Sequence, residues 1–438
     1  MADKLNIARE YIIGQLETGN LSGGDKLPGA RELSEQIGVS HAITQMAFVS
    51  LVRDGVLESF PRSGTFVRGD WRERILPDSF VSFRSVWSDV VRSRFPGLQV
   101  HDCFRKGVFE IRTTLEVLHR RDEYLNLAEL FREAYPDDAP FFSAPFRSFR
   151  TADGGLFGIP LIFSPRVLCY NAGMLAGAGC PEPRSGWGWD EFIEDIRRLR
   201  RLHPPERIFN WSFLPFWMNF IFRAGGGIIG TAGVSEVMLD SPRTRDGIMK
   251  VRELYRALGV TEKWPALNPY EAHFSNGECA FMLAARQEVN FNAPHCWKSV
   301  PLPLIPGGAD LTAQATDLLC VRRYGGDLPL ARELIRLMLS EEVQDHIGQL
   351  RYGIPIRKSS AMRSFDPEDS RDALFLSEMT KISADYNLDS PELTRMINHG
   401  LNEIWLNGAD VDETTAELAA ALRTVLRYRN FELKGTRS

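Results

Sequence analysis

The sequence predicts an α/β chain in which a small helical head with a short hairpin precedes a much larger body of alternating strands and helices. Three observations lead there. Residues 31–67 read helix, glycine turn, helix and hairpin. Beyond residue 79, short apolar runs alternate with amphipathic stretches, the order of a layered α/β domain. The chain has 438 residues, 44% apolar and 25% charged, enough for about three folding units with sizeable cores.

In the opening stretch MADKLNIAREYIIGQLETGN, Leu5, Ala8, Ile12 and Leu16 fall on one helical face, and Gly19 stops the helix. A short amphipathic segment from Arg31 to Ile37 follows, then a turn at Gly38. A second segment, His41 to Asp54, carries apolar residues at Ile43, Ala47, Leu51 and Val52. Ser40 stands where a cap belongs: its hydroxyl can accept a first-turn N–H, so the second helix begins with side chains 41–45 unburied. Gly55 ends this helix, and Val56–Phe60 and Thr65–Val67 read as strands around the turn Pro61-Arg62-Ser63-Gly64. Helix, tight turn and helix followed by a hairpin make a winged helix–turn–helix, whose second helix can enter a DNA groove.

Leu27-Pro28, Arg31, Leu33, Gly38-Val39-Ser40, Ala47, Leu51, Gly55 and Gly64-Thr65-Phe66-Val67 together resemble the gluconate-repressor (GntR) type of bacterial transcription regulators. The departures fall at the base-reading positions, where the family has Arg after Val-Ser and often a basic residue four later. This chain has His41 and Gln45. Ser40, His41, Thr44 and Gln45 are the expected base-facing set. Arg31 is expected on phosphate, and Arg62, with Ser63 and Gly64 at the wing tip, on phosphate or in the minor groove. Net charge is −5, and residues 1–70 hold seven Lys/Arg against nine Asp/Glu. Attraction to arbitrary DNA is therefore weak, and a homodimer on a defined palindromic site is the expectation.

Residues 68–78 show no period and are broken by Pro77, which makes 69–78 a linker between domains 1–68 and 79–438. Phe80–Phe83 reads as a strand, Val86–Arg94 as a helix and residues 96–100 as a turn into the next strand, the order of a parallel sheet. A helix is expected around Ile111–Arg120, running directly into DEYLNLAELF. Asp153-Gly154-Gly155 turns into the run Leu156–Leu161, Val167–Asn171 is a buried strand, and Asp190 opens the helix EFIEDIRRLRRL.

The stretch DGGLFGIPLIFSPRVLCYNAGMLAGAGCPEPRSGWGWDEF carries a second resemblance, and later landmarks follow in register. They are the glycine run at 223–227, Leu239-Asp240-Ser241-Pro242 opening a helix, residues 274–282, Val300–Pro303, a helix from Leu328 to Ser340, the stretch SEEVQDHIGQLRYGIPIRKS and two closing helices. Residues 79–430 resemble the extracellular solute-binding proteins of family 1, the sugar-binding components of ABC importers. The resemblance implies two α/β lobes joined by hinge strands, of the periplasmic-binding-protein (type II) kind, with a ligand in the cleft. One departure is a first lobe lacking the family's strand that ends in Pro-Asp, which leaves that lobe short.

Sugars are held by hydrogen bonds to hydroxyls and by aromatic faces on ring C–H groups. Trp211 and Trp217, in an aromatic and polar segment, are the first candidates; Trp187 and Trp189 sit at a helix start and are assigned to structure. Arg286 follows the buried run 280–285 and offers a planar fork suited to adjacent hydroxyls or a uronate. By the resemblance, Phe163, Ser164, Trp297, Gln314, Asp317 and Tyr352 lie in cleft-facing loops. Gly225-Gly226-Gly227 with Gly230 follows a helix instead of opening one, so it reads as a helix-ending turn and not a phosphate cradle. The eight histidines lack H-x-x-x-H spacing, so no metal is expected, and no cofactor. The six cysteines (103, 169, 180, 279, 296, 320) are scattered and read as thiols of a reducing compartment, although their number is even and spacing alone leaves bridges open. No signal peptide, membrane span, G-x-S-x-G elbow or sequence-paired carboxylates are visible.

The expectation is a non-enzymatic, cytoplasmic transcription regulator. It would bind operator DNA as a dimer under the control of a small carbohydrate effector, without touching a membrane. The alternative is a carbohydrate-binding protein of an ABC transport system, which requires export; a catalyst acting on the sugar is the third class.

Overall fold

The computed structural model describes the chain apart from residues 1, 54, 72–78, 96, 103–106, 152, 212–215, 231–235, 261–269, 324–327, 384–389 and 436–438. Its Cα packing separates two units. The first comprises 1–138, 149–159 and 318–338, the second 139–148, 160–317 and 339–438.

The head is part of the first unit: α1 (Ala2–Glu17), α2 (Ala30–Ile37), α3 (His41–Arg53), β1 (Leu57–Phe60) and β2 (Gly64–Val67). Ala8, Ile12 and Leu16 of α1 are buried as their spacing requires, and Ile12 and Leu16 share a core with Leu33, Phe48, Leu51, Val56 and Val67. Gly38 closes α2 in the left-handed region, at φ 68°, which an L side chain enters only at a cost. The two strands pair antiparallel, Leu57 opposite Val67 and Phe60 opposite Gly64. Leu27 N–H donates to the Thr65 carbonyl and Val67 N–H to that of Asp25, so a preceding segment lies along the outer edge of β2. Trp71 is buried in the same core, so the packed head reaches past residue 68. The expected linker lies, from residue 72 on, outside the described residues.

The remainder of the first unit is parallel as expected. β3 (Ser79–Ser82) lies between β4 (Gln99–Asp102) and β5 (Phe109–Thr113), with α4 (Ser85–Arg94) as the crossover. β5 corrects the sequence reading: residues 109–113 are a buried strand, and the helix α5 (Thr114–His119) starts only after it. The strand pairs in parallel with β3 and ends at Arg112-Thr113, not in Pro-Asp. Charged residues hid it, because Glu110 and Arg112 alternate with Phe109 and Ile111 and all four are buried. Glu110 Oε2 accepts from Arg112 Nε at 2.8 Å and from the Tyr124 hydroxyl at 2.9 Å, and lies 3.2 Å from Arg120. Its other oxygen accepts from Gly107 N–H at 2.9 Å. These partners hold the carboxyl below the usual range despite its burial. Next come α6 (Ala128–Ala134) and the helix Leu328–Met338, which pack together.

β6 (Ile159–Ser164), in the second unit from Pro160 on, and β7 (Val167–Asn171) are wholly buried. After α7 (Ala172–Gly177), Gly188 caps α8 (Trp189–Arg200), its N–H donating to Glu191. Further elements are β8 (Phe209–Trp211), α9 (Met218–Arg223), α10 (Pro242–Leu258), β9 (Phe281–Ala284) and β10 (Trp297–Val300). The sheet β10-β7-β9-β8 is mixed: β7 runs antiparallel to both neighbours, and β8 and β9 are parallel. The glycine run ends α9, with Gly225 at φ 82°. Gly226 packs so closely on Thr244 of α10 that a Cβ would meet its backbone N at 2.7 Å. Helices Pro391–Leu406 and Val411–Gly435 close the chain. No described helix is long and apolar enough to cross a membrane.

Candidate functional site

Two candidate sites were predicted, and each is built from a different unit. In the head, α3 presents the face that matters. Its core side carries Thr44, Ala47, Phe48 and Leu51, all buried, and its outer side carries His41, Ala42, Gln45, Met46 and Val49, all exposed. Thr44 therefore corrects the sequence reading, since it is fully buried and its hydroxyl turns back to the Ser40 carbonyl at 3.4 Å. The physical reason is helical spacing: Thr44 precedes Ala47, Phe48 and Leu51 by three, four and seven positions, which puts it on the core stripe. Ala42, Met46 and Val49, outside the expected set, are exposed by the same spacing. They share the stripe i, i+3, i+4, i+7 with Gln45, and the signal was present in the spacing.

Ser40 is exposed, and its Oγ accepts the Ile43 N–H at 3.4 Å, the capping contact expected of it at the long end of its range. Arg31 projects into solvent with 88% of its side chain exposed, 3.8 Å from Glu35, itself 74% exposed, a pairing too screened to hold it. At the wing tip Ser63 N–H donates to the Phe60 carbonyl, and Arg62 takes a positive φ of 66°, a conformation in which a glycine would be unstrained. Gly64 has φ 114°, and a Cβ there would meet Lys26 Cε at 2.7 Å. Phe60, half exposed, stacks edge-on against Phe66 at 5.8 Å. The arrangement offers a solvent-open helix face in a head where Arg31 and Arg62 are also open to solvent, a combination suited to a groove lined by phosphates.

All nine predicted ligand residues fall in the second unit, and most are committed to internal contacts. Arg286 is fully buried: its Nε and Nη2 donate to Asp372 at 2.7 and 3.0 Å, and further N–H groups reach the carbonyls of Gly353 and Ser364. Desolvation lowers its pKa, Asp372 opposes that, and Phe365 lies 4.6 Å beneath the guanidinium. This fork serves the protein itself, a correction that sequence could not supply because Asp372 lies 86 positions away. Ser164 accepts the Arg286 N–H at 2.9 Å and is likewise buried. Phe163 packs edge-on to Phe142. Trp217 is buried, donates to Asn398 Oδ1 at 3.0 Å and packs against Trp405. Trp297 belongs to a core with Phe274 and Phe375, under the Arg371 guanidinium at 4.6 Å. Gln314 donates to the Pro145 carbonyl and to Thr316, and the Tyr352 hydroxyl donates to Asp317 at 2.7 Å. The backbone of Trp211 lies in β8, and its side chain is outside the described residues.

Trp187 and Trp189 are buried, donating to the Pro301 carbonyl and to Glu253. A groove of about 610 Å³ in this unit, lined in part by Glu182, Arg184, Trp187, Asp190, Asp195 and Arg198, contains none of the nine predicted residues. Burial pushes the Asp195 carboxyl up to about 6. Cys169, Cys180, Cys279, Cys296 and Cys320 are thiols, and Cys103 lies outside the described residues. Among the described residues no cluster of three or more His, Cys, Asp or Glu could hold a metal ion.

Residues 6–67 match the family of bacterial regulatory proteins called the gntR family. An L-lactate dehydrogenase operon regulatory protein of Escherichia coli (strain K12), so named, is 44% identical over 57 residues, 13% of this chain and 21% of that one. A Brucella abortus (strain 2308) protein named as a binding protein is 20% identical over 304 residues, 65% of this chain and 72% of its own. Among solved structures, maltose-bound T. maritima MalE3 aligns with a TM-score of 0.64 at 16% identity, over 80% of this chain and 99% of its own. UgpB from Mycobacterium tuberculosis in complex with glycerophosphocholine aligns at 0.66 and 18% identity, over 81% and 99%. The head is thus a GntR helix–turn–helix domain, and most of the remaining chain has the two-lobed fold of sugar-binding solute-binding proteins.

Proposed function

We propose that this protein is a ligand-responsive transcription regulator: the head binds operator DNA, and a small ligand held by the solute-binding fold alters that binding. One observation carries the reading, namely that a single polypeptide joins a GntR helix–turn–helix domain to a fold shared with receptors for small solutes. A ligand preferring one arrangement of the receptor fold shifts the population toward it, and a dimer on two half-sites converts such a shift into a change in affinity. Carbohydrate is the proposed ligand class, because neighbours of the fold are described as bound to maltose and other saccharides. The protein acts as a receptor and DNA binder without catalysis, in the cytoplasm where its operator is, and as a homodimer.

Selection from random duplexes with the full-length protein, followed by thermal-shift screening against mono- and oligosaccharides, tests the reading. The expected outcome is one enriched palindromic site and at least one sugar that raises Tm and changes affinity for that site. A protein that binds a sugar and enriches no duplex would be a transport-type receptor instead.

A further inference from the structure

The outward stripe of α3 is unusual in what it lacks. From residue 32 to residue 52 the sequence contains no Lys or Arg, so the stripe Ala42, Gln45, Met46 and Val49 cannot make the bidentate guanine contact that arginine supplies. It carries apolar side chains instead, with Met46 48% and Val49 62% exposed. In the major groove the apolar partner for such side chains is the thymine C5-methyl group, and a Gln amide pairs with adenine N6 and N7.

We propose that α3 reads its operator half-site chiefly through thymine methyl groups, with Met46, Ala42 and Val49 as the specificity-determining contacts and Gln45 on an adjacent adenine. The inference rests on the reading of the head as DNA-binding, and it specifies the chemistry of the sequence bound. DNA is the occupant of this apolar face because the stripe begins at the exposed capped end of α3. The open guanidinium groups of Arg31, on α2, and Arg62, in the wing, supply charge complementary to phosphate. The half-site is therefore rich in T·A pairs at the centre of the α3 footprint, and guanine there is dispensable.

Replacing thymine by deoxyuridine removes only the methyl group and so tests the idea directly. With the full-length protein and its selected duplex, each contacted thymine replaced should weaken binding about fourfold, the loss of one buried methyl. Met46→Ala should bind the unmodified duplex more weakly and lose sensitivity to deoxyuridine at one position, whereas Arg31→Ala should weaken both duplexes equally. Equal affinity of the wild type for thymine and deoxyuridine duplexes, with specific binding intact, would overturn the inference and leave the regulator reading standing. Absence of any selective duplex would overturn both. If Met46→Ser with Val49→Ser altered only the sedimentation-derived oligomeric state and left deoxyuridine sensitivity unchanged, the stripe would be a self-association face and the inference would fail.

Discussion

Arg62 shows how a single residue can hold strain at a place where a function is proposed. A non-glycine residue in the left-handed region gives up about 1 kcal/mol, and here that residue is an arginine at the tip of the wing, at φ 66°. Arg62→Gly is expected to leave the denaturation midpoint unchanged or higher while lowering affinity for the selected duplex severalfold; a variant that binds DNA as tightly as the wild type would remove Arg62 from the interface. The buried pair Arg286–Asp372 carries the opposite expectation. Asp372→Asn leaves a guanidinium without its charge partner in the interior, and should cost about 3 to 5 kcal/mol in denaturant unfolding. Asp195 adds a pH term. Its carboxyl is raised to about 6 from 3.8, so the folded protein holds that proton more tightly than the unfolded chain does. Its contribution to stability is present in full below about 3.8 and is lost as pH rises through about 6. The unfolding free energy of the wild type should therefore fall across this window relative to Asp195→Asn; parallel pH profiles would contradict the assignment. The sequence exposed Arg286 as a residue at the end of a buried run, but not the carboxylate 86 positions on that occupies it.

At the scale of elements, what was legible followed periodicity and what was not followed charge. The head could be read helix by helix because glycines stand at its stops and Ala8, Ile12 and Leu16 keep a clean spacing. β5 was misread because Glu110 and Arg112 sit where an outward polar face would be expected, yet both are buried in an ion-paired network joined by Arg120 and Arg322. Only tertiary partners reveal that such a segment is a central strand. The same blindness placed Thr44 on the groove side of α3, although the spacing to Leu51 argued for the core. Capping of α3 is an element-scale property that can be measured: Ser40→Ala should destabilise the head by about 0.5 to 1 kcal/mol, at the low end because the contact is long. A larger loss would mean that Ser40 has a second role.

For the whole molecule, the sequence disclosed the two parts through motifs in register, and the structure supplies the fold of each. The ligand contacts were the least legible: Trp217, Trp297 and Arg286 are aromatic or cationic as a sugar site requires, yet each is engaged inside the protein. Burial of aromatic residues in a core and presentation to a ligand leave the same mark on a sequence. The central claim is that ligand and operator are linked on one chain, and linkage is reciprocal. The direct measurement is a titration of the full-length protein with its selected duplex, with and without a saturating sugar chosen for raising Tm. Linkage predicts an affinity change of about 5-fold or more, in either direction, matched by an equal change in sugar affinity when DNA is bound. A sugar that raises Tm and leaves the operator affinity unchanged would contradict the account.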